Sequence, residues 1–389
     1  MSEDGSHATP WLHGTECGGT SGSPGPRDQV LVALAGVDGR YGLSRSQLGA
    51  LLGDEPPWRV GQVWDGLYRR VADPAEMTEL PRRLRCQLAE DPALAPALHL
   101  QRESVADRGW TRKWPWGLAD GNAIETVLMH YGSRSTVCVS TQAGCGMGCG
   151  FCATGQAGFR RNLGVGEIVE QVARAMKSCR QLTPPRRLSN VVFMGMGEPL
   201  ANYRRVGGAI DRLQAEMGIS TRHLTISTVG LVPGIRRLAE DRLRVGLAVS
   251  LHAANDDLRD RLVPVNRRYP LATLMDACSR YRSRTRRRVS FEWALMDELN
   301  DSPSDAAQLA DLARPLGAHV NLIPLNPTPG WPARGTPPDR VRAFQGELAS
   351  RSVNATVRRN RGTDIDAACG QLAGRSSSAA VPRGAQRVN

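Results

Sequence analysis

The chain has 389 residues, of which 41% are hydrophobic, and a formal net charge of +12. This length suffices for one large domain and a second, small one. No run approaches the about 18 continuous apolar residues of a membrane span, and the first residues lack a signal-peptide core. A cytoplasmic protein without a membrane partner is therefore expected. Almost all of the positive charge is arginine, which favours a phosphate-bearing partner such as nucleic acid; codon composition is a second explanation for the bias.

The ends of the chain differ in composition from its middle. Residues 1–27 are rich in Gly, Ser and Pro without apolar periodicity, and residues 376–389 are similar, which predicts disorder in both segments. Residues 28–95 carry apolar residues at helical spacings and predict a small helical domain. Its arginines fit a solvated helix face as well as an RNA-binding surface. They are Arg59, Arg69, Arg70, Arg82, Arg83 and Arg85.

The rest of the chain is predicted to form a connector and an α/β domain. Residues 96–135 predict a connector with short strands. In residues 136–375, helical segments alternate with apolar, β-branched runs, which are TVCVS, NVVFMG, LTIST, VGLAVSLH, RVSFEWALM, HVNLIPL and NATVR. This β–α order implies a parallel sheet. Six or seven such units fit a partial or full (β/α) barrel better than a dinucleotide-binding fold, and no GxGxxG motif follows the first strand.

Unusual residues follow the predicted strands of this barrel. The loops at the carboxyl ends of barrel strands build active sites, so these side chains are expected to meet at one end of the barrel. For His252 a place in the barrel core is the alternative. The residues in question are Cys145, Cys149, Cys152, Gly197, Glu198, Ser227, Ser250, Leu251, His252, Asn326 and Cys369.

Three of them form a cysteine motif on one glycine-rich loop. Cys145, Cys149 and Cys152 have the spacing C-x3-C-x2-C. Thiolates favour zinc or iron–sulfur clusters, and a structural zinc ion needs a fourth ligand, for which Cys138 and His130 are the nearest candidates. Three thiolates alone would leave one iron of a cubane cluster open to a small molecule. The motif therefore favours an iron–sulfur cluster over zinc.

The cysteine loop resembles the signature of the radical S-adenosylmethionine (SAM) superfamily, and GMGEP at residues 195–199 resembles its second-strand motif. The resemblance implies a partial (β/α) barrel and one [4Fe–4S] cluster per chain, held by the three cysteines, with SAM at the open iron. It implies that Gly197 and Glu198 bind the SAM amino group, since a carboxylate suits an ammonium. Further SAM contacts are implied for Ser227, Ser250, Leu251, His252 and Asn326.

Longer runs narrow the resemblance to radical enzymes that methylate adenine in ribosomal RNA. They include FMGMGEPLANY, SLHAAND, LIPLNP and DIDAACGQL, and the similarity extends over about residues 45 to 374. The RlmN-type family, which methylates carbon 2 of an adenosine in 23S ribosomal RNA and in transfer RNA, is favoured. The Cfr type, which methylates carbon 8 and gives antibiotic resistance, usually has alanine in place of Pro199 and tyrosine in place of Leu325. A non-catalytic iron–sulfur RNA-binding protein is a third possibility. The chain departs from the family at Gly148 and Gly150, where a charged residue is common.

The family resemblance also implies a two-thiol mechanism. Cys369 takes a methyl group from one SAM, a radical from a second SAM removes a hydrogen from that group, and its carbon joins the adenine. Glu125 is the implied proton acceptor, although composition alone makes it a surface carboxylate. Cys138, otherwise a core cysteine, attacks Cys369 to release the product and leaves a disulfide. The implied partners of the monomer are 23S rRNA, tRNA, an electron donor such as flavodoxin, and a thiol reductant.

Overall fold

The structure is a computed structural model that describes residues 39–241, 243–358 and 361–373. The predictions of disorder for residues 1–27 and 376–389 lie outside these residues. The described residues form two compact units, divided in the sequence between Pro96 and Ala97. Within them, no helix has both the length and the apolar character that crossing a membrane would require.

The first unit is helical, as its apolar periodicity predicts. A capping box begins the first helix: the Ser44 hydroxyl accepts from the Gln47 N–H at 3.1 Å, and the Gln47 amide oxygen accepts from the Ser44 N–H at 2.8 Å. The apolar faces are buried, with Leu48 and Val63 fully enclosed. Residues 28–38 of the predicted helical domain lie outside the described residues. The α-helices are α1 (Arg45–Leu52), α2 (Trp58–Asp65) and α3 (Arg82–Glu90).

The second unit is built on an 11-stranded sheet and a separate two-stranded hairpin. The strands of the large sheet are β1 (His99–Leu100), β2 (Ser104–Ala106), β3 (Thr111–Gly117), β4 (Ala123–Tyr131), β5 (Arg134–Cys138), β8 (Leu188–Phe193), β9 (Leu224–Thr228), β10 (Gly246–Ser250), β11 (Val289–Leu295), β12 (His319–Pro324) and β13 (Ala355–Val357). The hairpin consists of β6 (Gln142–Gly144) and β7 (Phe159–Asn162).

The helices of this unit lie between its strands along the chain. They are α4 (Ala153–Gln156), α5 (Val165–Arg180), α6 (Tyr203–Ala215), α7 (Val232–Glu240), α8 (Asp256–Leu262), α9 (Leu271–Thr285), α10 (Pro303–Leu316) and α11 (Pro338–Ser350). Each longer helix returns the chain to the start of the next strand, so that the strands run parallel. The short helix α8 and the β6–β7 hairpin have no counterpart in the sequence prediction.

Seven parallel strands form the barrel, in the order β5-β8-β9-β10-β11-β12-β13. Among the described residues β13 pairs with β12 alone, and β5 pairs on its other side with β4. The barrel is therefore partial, and the predicted (β/α) architecture is confirmed. All carboxyl ends of the parallel strands lie on one side of the sheet, where the loops with the unusual residues begin.

The segment 96–135 differs from the predicted connector. Its strands β3 and β4 have seven and nine residues and pair with each other in an antiparallel ladder. Strand β4 continues into the barrel sheet through β5. Because Ile124 and Leu128 on β4 are fully buried, this ladder needs the sheet as a neighbour. The segment is thus a part of the α/β unit.

Candidate active site

The three motif cysteines lie on the loop that leaves β6. The Cys145 N–H donates to the Gly158 carbonyl at 2.9 Å, and the Cys152 N–H donates to the Cys149 carbonyl at 3.1 Å. Gly144, just before the loop, has a φ of +73°, and a Cβ there would stand 1.9 Å from the Gly158 oxygen. Only glycine allows this approach. The turn of the hairpin therefore gathers the cysteines within one compact loop.

The thiols of this loop lie close enough to influence one another. Burial raises the pKa of the Cys145 thiol to about 12. Burial also raises the pKa of Cys149, and the Cys152 and Cys145 thiols raise it further. No three His, Cys, Asp or Glu side chains in the described part of the chain are arranged to hold a single metal ion. Three neighbouring cysteines on one loop nevertheless suit an iron–sulfur cluster, which binds thiolates.

Glu198 lies at the carboxyl end of β8 and is buried. Its two carboxylate oxygens accept from the Leu200 N–H at 3.0 Å and the Val229 N–H at 2.9 Å, and its own N–H donates to the Gln142 side chain at 2.8 Å. Burial raises the pKa of Glu198 to about 7, although the hydrogen bonds from the Val229 and Leu200 N–H groups lower it. The preceding Gly197 has a φ of +100°, and a Cβ there would stand 2.5 Å from the Gln142 Cβ. The glycine is required for the carboxylate to reach this position.

His252 lies beside the cysteine loop. Its ring is 4.8 Å from the Phe151 ring, in an edge-to-face arrangement. Its Nδ1 accepts from the Ala294 N–H at 3.0 Å, which leaves the ring proton on Nε2. Burial lowers the pKa of His252 to about 3, so the ring is neutral. Three other predicted SAM contacts occupy the ends of β9 and β10, namely Ser227, Ser250 and Leu251.

Arg259 on α8 is a fully buried arginine that the motifs do not indicate. Its guanidinium donates to the Val229 carbonyl at 2.6 Å, the Leu251 carbonyl at 3.1 Å, the Ser250 carbonyl at 3.3 Å and the Asn266 side chain at 2.7 Å. Burial lowers its pKa to about 10, so it stays charged at neutral pH. It holds the ends of β9 and β10 in place.

Asn326 follows β12 and connects to the loop of Cys369. The Asn326 side-chain N–H donates to the Cys369 carbonyl at 3.1 Å. Its Oδ1 is buried and has no hydrogen-bond partner within the described residues. The Ala153 N–H, next to Cys152, donates to the Gly370 carbonyl at 2.8 Å. A buried amide oxygen is seldom left unpaired, so the Oδ1 of Asn326 is available to a hydrogen-bond donor from outside the described residues.

The Cys369 and Cys138 thiols lie close enough to influence each other electrostatically. Burial raises the pKa of Cys138 to about 12, and the nearby Cys369 thiol raises it further. Cys369 is exposed to solvent, although its thiol is partly desolvated by the surrounding protein. This burial raises its pKa, against the nearby Arg358, while Glu292 and Cys152 add to the increase. Cys369 therefore lies within electrostatic reach of both Cys138 and the cysteine loop.

Glu125 is buried on β4. Its Oε2 lies 3.2 Å from the Lys113 Nζ, and the same ammonium donates to the Asp366 carbonyl at 3.0 Å. Burial raises the pKa of Glu125, while Lys113 and the Ala373 N–H oppose that increase. The expectation from composition, a surface carboxylate, is wrong, because Glu125 is only 5% exposed. The residue faces the segment that carries Cys369.

Comparison with known proteins identifies the chain. Residues 139–310 match the radical SAM superfamily. A probable dual-specificity RNA methyltransferase RlmN from Chloroflexus aurantiacus is 51% identical over 351 residues, which cover 87% of this chain and 93% of that protein. One from Salinispora tropica is 52% identical over 327 residues, which cover 82% and 88%. The chain belongs to the RlmN family of radical SAM RNA methyltransferases.

A solved structure supports the same family. A radical SAM methyltransferase from Sphaerobacter thermophilus is similar with a TM-score of 0.82 and 47% identity, over 87% of this chain and 99% of that chain. The partial barrel predicted from the sequence is thus the radical SAM fold. Its strand ends bring the three cysteines, Glu198, His252, Asn326 and Cys369 to one region, and place Glu125 and Cys138 beside the Cys369 loop.

Several polar residues around the RlmN-family site were missed by motif reasoning. Gln142, Arg259 and Arg358 stand in polar or basic runs that look like surface positions. Their importance depends on contacts with residues distant in the sequence, which no local pattern reveals. Lys113 did carry a signal, because it is one of only two lysines among 50 Lys and Arg residues. Its rarity alone did not indicate Glu125 as its partner.

The Gly197→Ala substitution tests the geometry that the RlmN-family motif requires. The added Cβ would collide with Gln142 and strain a φ of +100°. We expect the free energy of unfolding to fall by about 1–3 kcal/mol and SAM to bind at least about ten-fold more weakly. Calorimetric titration of SAM and chemical denaturation would measure both effects. As a control, Gly346→Ala on α11, where a Cβ meets nothing within 4 Å, should leave SAM affinity unchanged. Equal SAM affinities in the two variants would contradict this assignment.

Proposed function

We propose that this chain methylates carbon 2 of an adenosine in 23S ribosomal RNA and of an adenosine in transfer RNA. Its RlmN-family membership supports RNA methylation, and both RNA substrates fit the basic charge of +12. The observation that carries the mechanism is the position of the Cys369 thiol, which lies outside the cysteine motif yet within electrostatic reach of Cys138 and Cys152. A non-catalytic iron–sulfur protein would have no use for two further thiols in this position.

The cofactors of the proposal are one [4Fe–4S] cluster per chain and SAM. Cys145, Cys149 and Cys152 would hold the cluster. When bound, the cluster and SAM supply the methyl group and the radical chemistry that an unreactive aromatic carbon requires. The SAM site would be formed by Gly197, Glu198, Ser227, Ser250, Leu251, His252 and Asn326. The unpaired Oδ1 of Asn326 supports this fit, because a buried acceptor needs a donor from elsewhere.

Cys369 carries the methyl group in this proposal. Its sulfur accepts the methyl group as a thiolate, and Arg358 favours that thiolate because its positive charge lowers the pKa of Cys369. The exposure of Cys369 lets RNA approach the same sulfur. Asn326 holds the carbonyl of this residue at 3.1 Å. The loop can therefore present one sulfur first to SAM and then to the adenine.

Glu125 and Cys138 complete the reaction. Glu125 accepts the proton that leaves carbon 2, and Lys113 at 3.2 Å favours the ionised carboxylate that this step requires. The unpaired electron of the adduct would return to the cluster, which would have supplied one electron to form the radical. Cys138 as a thiolate attacks the Cys369 sulfur, so that a disulfide forms and the sulfur–carbon bond breaks. The electron pair of that bond goes to the carbon, which gains a proton and becomes the new methyl group. A thiol reductant must then restore Cys138 and Cys369, which are both free thiols in the structure.

The first unit and the remaining partners belong to the same proposal. Arg82 and Arg83 on α3 are exposed and make no ion pair with any described residue. Such arginines suit RNA phosphates, which favours the RNA-binding interpretation of this unit. The enzyme would work as a cytoplasmic monomer and would take its electrons from a donor such as flavodoxin.

Nucleoside analysis tests the proposed function directly. The full chain, reconstituted anaerobically with iron and sulfide, should convert unmodified 23S rRNA and tRNA in the presence of SAM and a reductant. Mass spectrometry of the digested RNA should find 2-methyladenosine. Cys145→Ala should give none, because one proposed cluster ligand is removed. Formation of 8-methyladenosine would instead assign the chain to the carbon-8 reaction, and RNA binding without any product would favour a non-catalytic protein.

RNA affinity should depend steeply on salt, because phosphate contacts release counterions. Replacing both Arg82 and Arg83 with alanine should weaken binding about ten-fold at low salt and reduce the slope of log K against log salt by about 1–2. Arg351→Ala is the matched control, since Arg351 is already paired with Glu347 at 2.7 Å on α11. Fluorescence anisotropy with a tRNA fragment would measure the slopes. Identical slopes for the double variant and the wild type would contradict an RNA contact by α3.

Alanine variants of the two thiols should fail in different ways. Cys369→Ala cannot accept the methyl group and should form no adduct. Cys138→Ala lacks only the releasing thiol and should accumulate a covalent protein–RNA complex, visible as a slow, nuclease-sensitive band on a denaturing gel. Glu125→Gln should also stall at the adduct, with turnover reduced by on the order of 100-fold.

Two further variants control this experiment. The Cys138→Ala and Cys369→Ala double variant should form no complex, because the attachment point is absent. Cys179→Ala, a buried cysteine on α5, should turn over without an adduct. Normal turnover by Cys138→Ala, or a crosslink in the double variant, would refute these roles.

A further inference from the structure

Trp331 lies against the cysteine loop but has no part in the proposed reaction. The residue follows β12 and packs, half-buried, on an apolar cluster that contains Cys149 and Phe151. Its ring centroid is 6.3 Å from that of Phe151, with the ring planes at 72°. The indole therefore covers part of the surface beneath which the motif cysteines lie.

Gly150, inside the cysteine motif, makes room for this indole. A Cβ at Gly150 would stand 2.7 Å from the Trp331 Cζ3 and 3.0 Å from its Cε3. Real Cβ atoms do not approach other atoms so closely, so any larger residue would displace the ring. The absence of a charged side chain at this position, which departs from the family pattern, is thus matched by the large ring of Trp331.

The segment that carries Trp331 is tied to the cysteine loop by hydrogen bonds. The Thr328 hydroxyl donates to the Phe151 carbonyl at 3.1 Å, and the Gln156 side chain donates to the Thr328 hydroxyl at 3.5 Å. The backbone N–H of Trp331 donates to the Thr328 carbonyl at 3.3 Å. These bonds fix the Trp331 segment to the loop and thereby hold the ring in place. A tryptophan on a loose surface segment would lack such bonds.

The indole N–H is buried and has no hydrogen-bond partner among the described residues. A buried donor without a partner is costly, which indicates that another group belongs nearby. Sulfur atoms of an iron–sulfur cluster accept such hydrogen bonds, and both these bonds and solvent exposure change the properties of the cluster.

We propose that Trp331 is a shield over the cysteine loop, which slows the access of water and oxygen to the cluster bound there. The inference rests on the proposed cluster at Cys145, Cys149 and Cys152. Trp331 is a positioning residue in this role, because its ring contacts the loop and no reacting atom. Gly150 is required for the same arrangement, since the Cβ of any other residue there would collide with the ring.

The lifetime of the cluster in air tests the shield without any measurement of activity. The full chain is reconstituted anaerobically, exposed to air, and followed by the loss of visible absorbance and the release of iron. Trp331→Ala should shorten the lifetime about five-fold, because the loop becomes open to solvent. Trp331→Phe keeps most of the ring and should stay within about two-fold of the wild type.

Glycine variants of the cysteine loop make the test specific. Gly150→Ala should shorten the lifetime as Trp331→Ala does, since its Cβ displaces the indole, and combining the two should add nothing further. Gly146→Ala is the matched control, because a Cβ there meets only the Phe159 Cβ at an ordinary 3.5 Å. It should retain the wild-type lifetime.

The possible failures are distinguishable. A wild-type lifetime in Trp331→Ala, or equal lifetimes in Gly146→Ala and Gly150→Ala, would overturn the shield while the cluster assignment stands. A wild-type chain that takes up no iron and sulfide would overturn the cluster itself, and the shield with it.

Discussion

The buried guanidinium of Arg259 sets the geometry on which the site depends. It donates to carbonyls at the ends of β9 and β10 and to Asn266. Asn266 in turn donates to Asp256 at 2.8 Å and Asp260 at 2.7 Å, so the charge is balanced through an intervening amide. A buried charge without such partners would cost several kcal/mol. The carbonyls at these strand ends must accept hydrogen bonds from the guanidinium, so the strand ends have little freedom to move. The side chains that follow them are therefore held in fixed positions.

The cysteines differ in their surroundings, and the proposed mechanism gives them different functions. Cys149 is buried within the apolar cluster, whereas Cys145 and Cys152 are only partly covered. Cys369 is exposed, as a thiol that must meet two substrates in turn needs to be. Burial raises the pKa of Cys138, Cys145 and Cys149, so that a metal or a nearby cation is needed to favour their thiolates. One kind of side chain can thereby serve as metal ligand, methyl carrier and releasing thiol in a single site.

Much of the fold could be predicted because it follows from short-range patterns. Each of the seven predicted strand runs overlaps a strand of the parallel sheet, from β5 to β13. The alternation of these runs with amphipathic helices leaves few arrangements other than a parallel barrel. The sequence predicts a connector in place of the β3–β4 ladder, because the pairing of β3 with β4 and of β4 with β5 is established only in the folded sheet. The short helix α8 was missed because its sequence, DDLRDRL, resembles a solvated segment.

By itself, the sequence determined the fold class and the type of reaction expected of the chain. The spacing of Cys145, Cys149 and Cys152 and the GMGEP run are local, and residue type and spacing suffice to recognise them. Only the tertiary structure decided the contacts between distant segments. It enclosed Glu125 beside Lys113, brought Cys138 near Cys369, and laid Trp331 on Gly150. The physical reason is that these contacts join residues far apart in the chain, so that burial and charge pairing arise only when the barrel brings its strand ends together.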